Sequence, residues 1–234
     1  MIDFHYCPAV NGHKVRIALE ELELPYRVVP VDINKGDQFK PEFLRISPNN
    51  KIPAIVDHDP PGGGAPIDLF ESGAILVYLA DKAGRLLPED LRGRMNVLKW
   101  VFWQVGHVGP MSGQSIHFHE YAPEDVPYGK LRYSREAGRL YAVLDRQLAG
   151  KAFVAGDDYS IADVAIYPWI VPHARVGVRI DEFPQVKRWL ADVGARPAVQ
   201  RAYELAKTFV RAPMDEASKQ MLFHQAAAVV TGRA

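Results

Sequence analysis

The order of apolar patterns along this chain predicts an α/β domain followed by an all-helical domain. Three observations carry that expectation. Short β-rich runs alternate with helical patterns up to about residue 84, an Ile-Pro junction stands at the head of the third strand signal, and every apolar pattern beyond Glu89 has helical spacing. The boundaries that follow are residues 1–84 for the first domain, 89–210 for the second and 211–234 for a C-terminal tail.

Residues 1–5 and 26–31 are β-rich, and the helical pattern between them, at 13–22, ends before Pro25 because the residue ahead of a proline is pushed out of the α region. That is a βαβ unit. The stretch from Asp37 then leads through an apolar helical face to Ile52-Pro53. Residues 54–58 read as a strand, 59–64 (Asp-Pro-Pro-Gly-Gly-Gly) as a turn, and 66–69 as its hairpin partner. A helix over 71–83 completes a β-α-β-α-β-β-α order, thioredoxin-like, of about eighty residues, which is a normal domain size. Helices are predicted next over 91–107, 128–148, 160–174, 183–195 and 197–207. Ser160-Ile161-Ala162-Asp163 has the spacing of a capping box with Asp in place of the usual Glu, which makes Asp163 a structural residue. Trp100, Phe102 and Trp103 mix helix faces and suit a core between the domains. In the tail, 225–230 is Ala/Val-rich and suits either a short helix or a frayed end.

Composition narrows the function classes. At 234 residues and 48% hydrophobic the chain can bury a sizeable core. Its 28 basic and 28 acidic residues cancel, so there is no global positive field for nucleic acid or an anionic membrane. The longest apolar stretch, 161–178, contains Asp163, His173, Arg175 and two prolines and is not a membrane span. The N-terminus lacks a basic region followed by an apolar core, and one cysteine excludes an internal disulfide, so the cytoplasm is the expected compartment. His117, His119 and Glu120 suggest a metal cluster only weakly, because residues two apart do not share a helix face. No metal is expected.

The chemistry is concentrated around two short motifs. Proline cannot donate to a β ladder, so Pro53 marks a turn rather than a strand interior. In the thioredoxin-like fold that turn holds a cis proline, which leaves the backbone N–H and C=O of Ile52 open to a peptide-like ligand, as in strand addition, with Lys51 beside it; an ordinary trans Ile-Pro at a loop end is the plain alternative. Glu71-Ser72 then opens a helical run. Unpaired N–H groups at that end, together with the Ser72 hydroxyl, suit a carboxylate, while anionic Glu71 suits an amine. Side by side they match the α-carboxylate and α-amino group of a γ-glutamyl group, although Glu-Ser at a helix start also serves as plain capping.

In order and content these segments resemble a cytosolic glutathione transferase over nearly the whole chain. The runs 8–14, 38–55, Phe70-Glu71-Ser72-Gly73-Ala74-Ile75 and Phe102-Trp103-Gln104-Val105-Gly106 are most similar to the Nu-class, or Ure2-like, branch. The resemblance implies that fold, glutathione as co-substrate, a homodimer, and glutathione-dependent disulfide reduction with weak conjugation of electrophiles. It implies site roles for Asn11, Gln38, Ile52, Glu71, Ser72 and Arg132, the last as a carboxylate clamp reaching across a dimer interface. Pro53 and Lys51 complete the ligand edge. One departure is Ala9, where the family has threonine. Its missing hydroxyl favours the alternative of a glutathione-binding regulatory or chaperone-like protein.

Two readings of the loop 6–12 stand side by side. With no second cysteine, a dithiol cycle within the chain is impossible. Either bound glutathione supplies the thiol, and Asn11 donates its amide to hold the sulfur as thiolate, or Cys7 is itself the nucleophile, as in Omega-class transferases, with its acidity raised by the adjoining helix N-terminus. Cys7 also fits a small buried hydrophobe, Asn11-Gly12 an ordinary turn pair, and Tyr6 a packing residue.

Overall fold

A computed structural model describes residues 1–210 and 212–223. Strand β1 (Ile2–Tyr6) is followed by α1 (Val10–Leu22) and β2 (Tyr26–Pro30). A 3₁₀ turn at Asp37–Phe39 and the short α2 (Pro41–Leu44) lead to β3 (Ala54–Asp57), β4 (Ile67–Phe70) and α3 (Ser72–Ala83). The sheet order is β2-β1-β3-β4, with β1 parallel to β2 and antiparallel to β3, and β4 antiparallel to β3. Phe4, in the middle of β1, lies opposite Val28 on one side and Ile55 on the other. The apolar side chains of Ile2, Phe4 and Tyr6 are all buried on one face of β1, as the two-residue period of a strand requires. Helices α1 and α3 pack together. The Ile52-Pro53 bond is cis.

Helix α1 starts three residues ahead of the sequence expectation. The reason is Gly12. A Cβ there would stand 2.5 Å from the Cys7 carbonyl oxygen and 3.0 Å from the Tyr6 ring, so only glycine lets the first turn close against the preceding loop. Asn11-Gly12 is therefore helix and not turn.

The helical part contains α4 (Leu91–Trp103), α5 (Gly109–Ile116), α6 (Pro127–Leu148), α7 (Ile161–Ile170), α8 (Pro184–Gly194), α9 (Pro197–Lys207) and α10 (Glu216–Phe223). The helical path at 91–107 does not stop there. A wide π turn at Gln104–Val108 carries it into α5, and a second at His117–Tyr121 ends it. Gly109-Pro110 reads locally as a terminator, yet proline at the first helical positions loses no hydrogen bond, and the π turn takes up the mismatch. Helix α7 is shorter than expected, ending at Ile170 and giving way to turns.

Asp163 is structural, as its motif implies. The Ser160 side chain caps α7, and Asp163 accepts from the backbone N–H groups of Val154 at 2.9 Å and Ser160 at 3.1 Å and from Trp189 Nε1 at 2.8 Å. Burial nevertheless pushes its carboxyl above the usual range. Of the aromatic series, Trp100 and Trp103 pack on the core, but Phe102 faces outward, a correction to the interdomain core expected for all three.

Helix α1 lies between the two parts and packs on α3, α7 and α9. Glu21 is bound by both guanidinium arms of Arg196, at 2.6 and 2.9 Å, and Glu20 by Arg201 at 3.0 Å. The segment leading into α10 folds back on the sheet side: Asn34 Nδ2 donates to the Ala212 carbonyl at 2.7 Å, and the Ala212 N–H donates to Asp32 at 3.0 Å. Phe223 stacks on Tyr121 with ring centroids 4.9 Å apart. The stretch 225–230 lies outside the described residues.

Candidate functional site

The loop after β1 brings the chain round to the N-terminus of α1, where Ala9 is the N-cap in an extended conformation and no side chain caps the turn. The first-turn N–H groups of α1 consequently have no side-chain oxygen to bond. Asn11 follows as the second helical residue, and its Oδ1 accepts from Trp169 Nε1 at 3.0 Å. Across from it, Glu71 precedes α3 with φ 68°, a left-handed conformation rare for a side chain of this size. That backbone holds the carboxylate outside the helix while Ser72 begins it.

Between these pieces lies a cavity of about 120 Å³ whose walls include Asn11, Lys51, Ile52, Pro53, Glu71 and Ser72. Three separate stretches of sequence thus converge on one small polar cleft. Ile52 stands just outside the β3 ladder, which begins at Ala54, so its peptide groups are not part of the sheet pairing. A larger cavity of about 530 Å³ shares Lys51 and Ile52 and extends over Ala9, Trp169, Tyr121 and Phe223. Gln38 belongs to its wall. The Gln38 side chain is 2% exposed and donates to the Ile33 carbonyl at 3.2 Å, while its Oε1, like Asn50 Oδ1, has no hydrogen-bond partner among the described residues. Buried acceptors without partners are rare in folded proteins, and at the edge of a cleft they mark places where a ligand donor fits.

Two expected site residues stand apart. Cys7 is fully buried and lines neither cavity. Arg132 sits on α6 with its side chain 54% exposed, 3.9 Å from Glu136, and also lines neither. The His117, His119 and Glu120 side chains diverge: His119 Nδ1 bonds the Ser115 carbonyl, Glu120 pairs with Arg175, and His117 packs against Phe223. No group of three or more metal-ligating side chains forms among the described residues.

Beneath the small cavity the structure adds a residue that the motifs do not point to. Lys14, one helical turn beyond Asn11, is 1% exposed, and its Nζ donates to Ser72 Oγ at 3.3 Å and to Gln104 Oε1. Burial pushes its amine down to about 7, with the Glu71 charge acting the other way. A lysine set among Val15, Ile17 and Ala18 was a legible signal, since a charge in a buried stretch needs a reason. His13, in the wall of the large cavity, is pushed down to about 4 by burial and by Arg16, so this side chain is neutral at physiological pH. The small cleft therefore offers the Ser72 hydroxyl and the Asn11 amide beside the Glu71 carboxylate, with Lys14 behind Ser72, and the larger cavity next to it has Trp169, Tyr121 and Phe223 in its wall.

This is the arrangement of a thioredoxin-like domain joined to an all-helical partner. Residues 1–81 match the family described as Glutathione S-transferase, N-terminal domain, and residues 128–197 match Glutathione S-transferase, C-terminal domain. The chain is 52% identical over 202 residues to the disulfide-bond oxidoreductase YfcG of Escherichia coli (strain K12), covering 86% of this chain and 94% of that protein. Among solved structures it is similar to a glutathione transferase family member from Pseudomonas fluorescens pf-5 with two glutathiones bound (TM-score 0.82, 46% identity, 87% of this chain and 92% of that one). A glutathione transferase from Pseudomonas putida with one glutathione disulfide bound per subunit is similar to the same degree (TM-score 0.81, 43% identity, 87% and 91%). The chain belongs to the glutathione S-transferase family, within its Nu-class-like, Ure2-like branch.

Proposed function

We propose that this protein is a glutathione-dependent disulfide-bond reductase of the transferase family. The observation that carries the reading is the convergence of Asn11, Ile52, Glu71 and Ser72 on one cleft that opens beside a larger chamber. The γ-glutamyl carboxylate would sit on Ser72 and the N-terminal amides of α3 with the Lys14 ammonium behind, and the α-amino group on Glu71. Ile52 would pair its backbone with the cysteinyl peptide, as an added strand does. Asn11 Nδ2 and the uncapped amides of α1 then face the sulfur and favour thiolate over thiol.

The sequence of bond changes needs no protein thiol. Bound glutathione thiolate attacks a disulfide in the large cavity, forming a mixed disulfide and expelling one thiolate. A second glutathione attacks that mixed disulfide, releasing the other thiol and glutathione disulfide. The relatives with two glutathiones or a glutathione disulfide bound support this reading, as does the burial of Cys7. Steady-state reduction of a small mixed disulfide at the expense of glutathione tests it; a rate no higher than that of glutathione alone would refute it.

The proposal extends to a cytoplasmic homodimer. No helix among the described residues is long and apolar enough to cross a membrane. Leu91, Met95 and Phe102 form an exposed stripe on α4, and Tyr128 and Leu131 are exposed on α6 next to Arg132. An isologous interface over these faces would cover the stripe and carry Arg132 toward the partner's cleft. Sedimentation is expected to give a dimer at micromolar concentration, and a monomer there would exclude this interface.

A further inference from the structure

We propose that Trp169 is a positioning residue that decides which end of the Asn11 amide faces the sulfur, an inference that rests on the glutathione reading above. An indole nitrogen donates and cannot accept. Whatever ambiguity attaches to the two ends of an amide side chain, the end that meets Trp169 Nε1 at 3.0 Å has to be the oxygen. The NH₂ end is then turned the other way, and Asn11 lines the small cavity while Trp169 lines the large one. One hydrogen bond, joining α1 to α7 across 158 residues of sequence, thereby gives the amide a fixed polarity.

The donor is itself held. The indole lies flat along α5, where a Cβ added at Gly109 or Gly113 would meet the ring at 3.5 Å. Without Trp169 the Asn11 amide is free to turn over, and half of its orientations present a carbonyl oxygen to a thiolate, which repels it. Thiolate stabilisation at this site is therefore a property of the pair. Because the same indole walls the large cavity, the chamber for the second substrate and the polarity of the amide share one side chain.

The test is the thiol pKa of bound glutathione, read from thiolate ultraviolet absorbance. Trp169→Phe is expected to raise it by about half a unit to one unit, a three- to tenfold loss of thiolate at a pH below both values, and Asn11→Ala by about one to two units. The double variant should match Asn11→Ala alone. An unchanged pKa in Trp169→Phe, or the same shift from it in the Asn11→Ala background, would overturn the inference, whereas a mere wall residue would alter only the KM for the disulfide. A second measurement leaves Trp169 in place. Of the four tryptophan indole N–H resonances, one should move in Asn11→Ala and keep its hydrogen-bonded position when glutathione is added to the wild type. A spectrum in which none moves, or in which the bonded position is lost on adding glutathione, would also overturn it. Calorimetry showing no glutathione binding to the wild type would instead remove the functional reading on which the inference stands.

Discussion

Glu71→Ala combined with Ser72→Ala is expected to weaken glutathione binding by at least about a hundredfold, because each change removes a charge-assisted contact of roughly 1.5–3 kcal/mol. The pair acts on the two ends of one zwitterionic group, so the effects are coupled. Ser72→Ala also takes away a hydroxyl that bonds Lys14 at 3.3 Å and leaves the buried amine with Gln104 as its remaining side-chain partner. The pH dependence carries the same signature. The ammonium form of Lys14 is the one that attracts a carboxylate, and its pKa is pushed down to about 7 by burial. Raising the pH through 7 removes that charge, so wild-type affinity should fall over the range and the Ser72 variant should respond less. Calorimetry at several pH values measures both effects, and unchanged affinity in the double variant would place the ligand elsewhere.

The second large effect separates the two sources of thiol. Asn11→Ala is expected to lower disulfide reduction by about ten- to a hundredfold, the range for one or two hydrogen bonds to a charged atom. Cys7→Ser should keep most of the activity, at a stability cost of about 1–3 kcal/mol for placing a hydroxyl in a fully buried position. The reverse order, together with a mixed disulfide between Cys7 and glutathione in the intact mass, would make Cys7 the nucleophile. Steady-state kinetics and thermal unfolding of the two variants decide between them.

Local chemistry made the candidate cleft legible in the sequence. Proline at the head of a strand signal and an acid-hydroxyl pair at a helix start each have a backbone reason to be where they are, and six of the expected residues line one cavity. Trp169 had no such signal, because its role depends on a partner 158 residues away and on two glycines that make room for its ring. Lys14 was visible as an oddity but not as a neighbour of Ser72. The continuation of α4 into α5 was hidden by Gly109-Pro110, whose meaning changes with one π turn ahead of it. Phe102 was misplaced because an aromatic residue carries the same local signal whether it faces the core or the outside. Arg132 lines neither cavity, and the role proposed for it depends on a second subunit that one chain's sequence does not place.

The burial of Cys7 has a consequence for how such a protein lives with oxidants. A thiol with no exposed surface is shielded from peroxide and from alkylating agents, so oxidation of the chain's one cysteine through sulfenic to sulfinic acid is slowed. Under the proposed chemistry, every oxidising equivalent passes to a small molecule that diffuses away. The protein then holds no redox memory of its own, and its flux follows the ratio of reduced to oxidised glutathione around it from moment to moment.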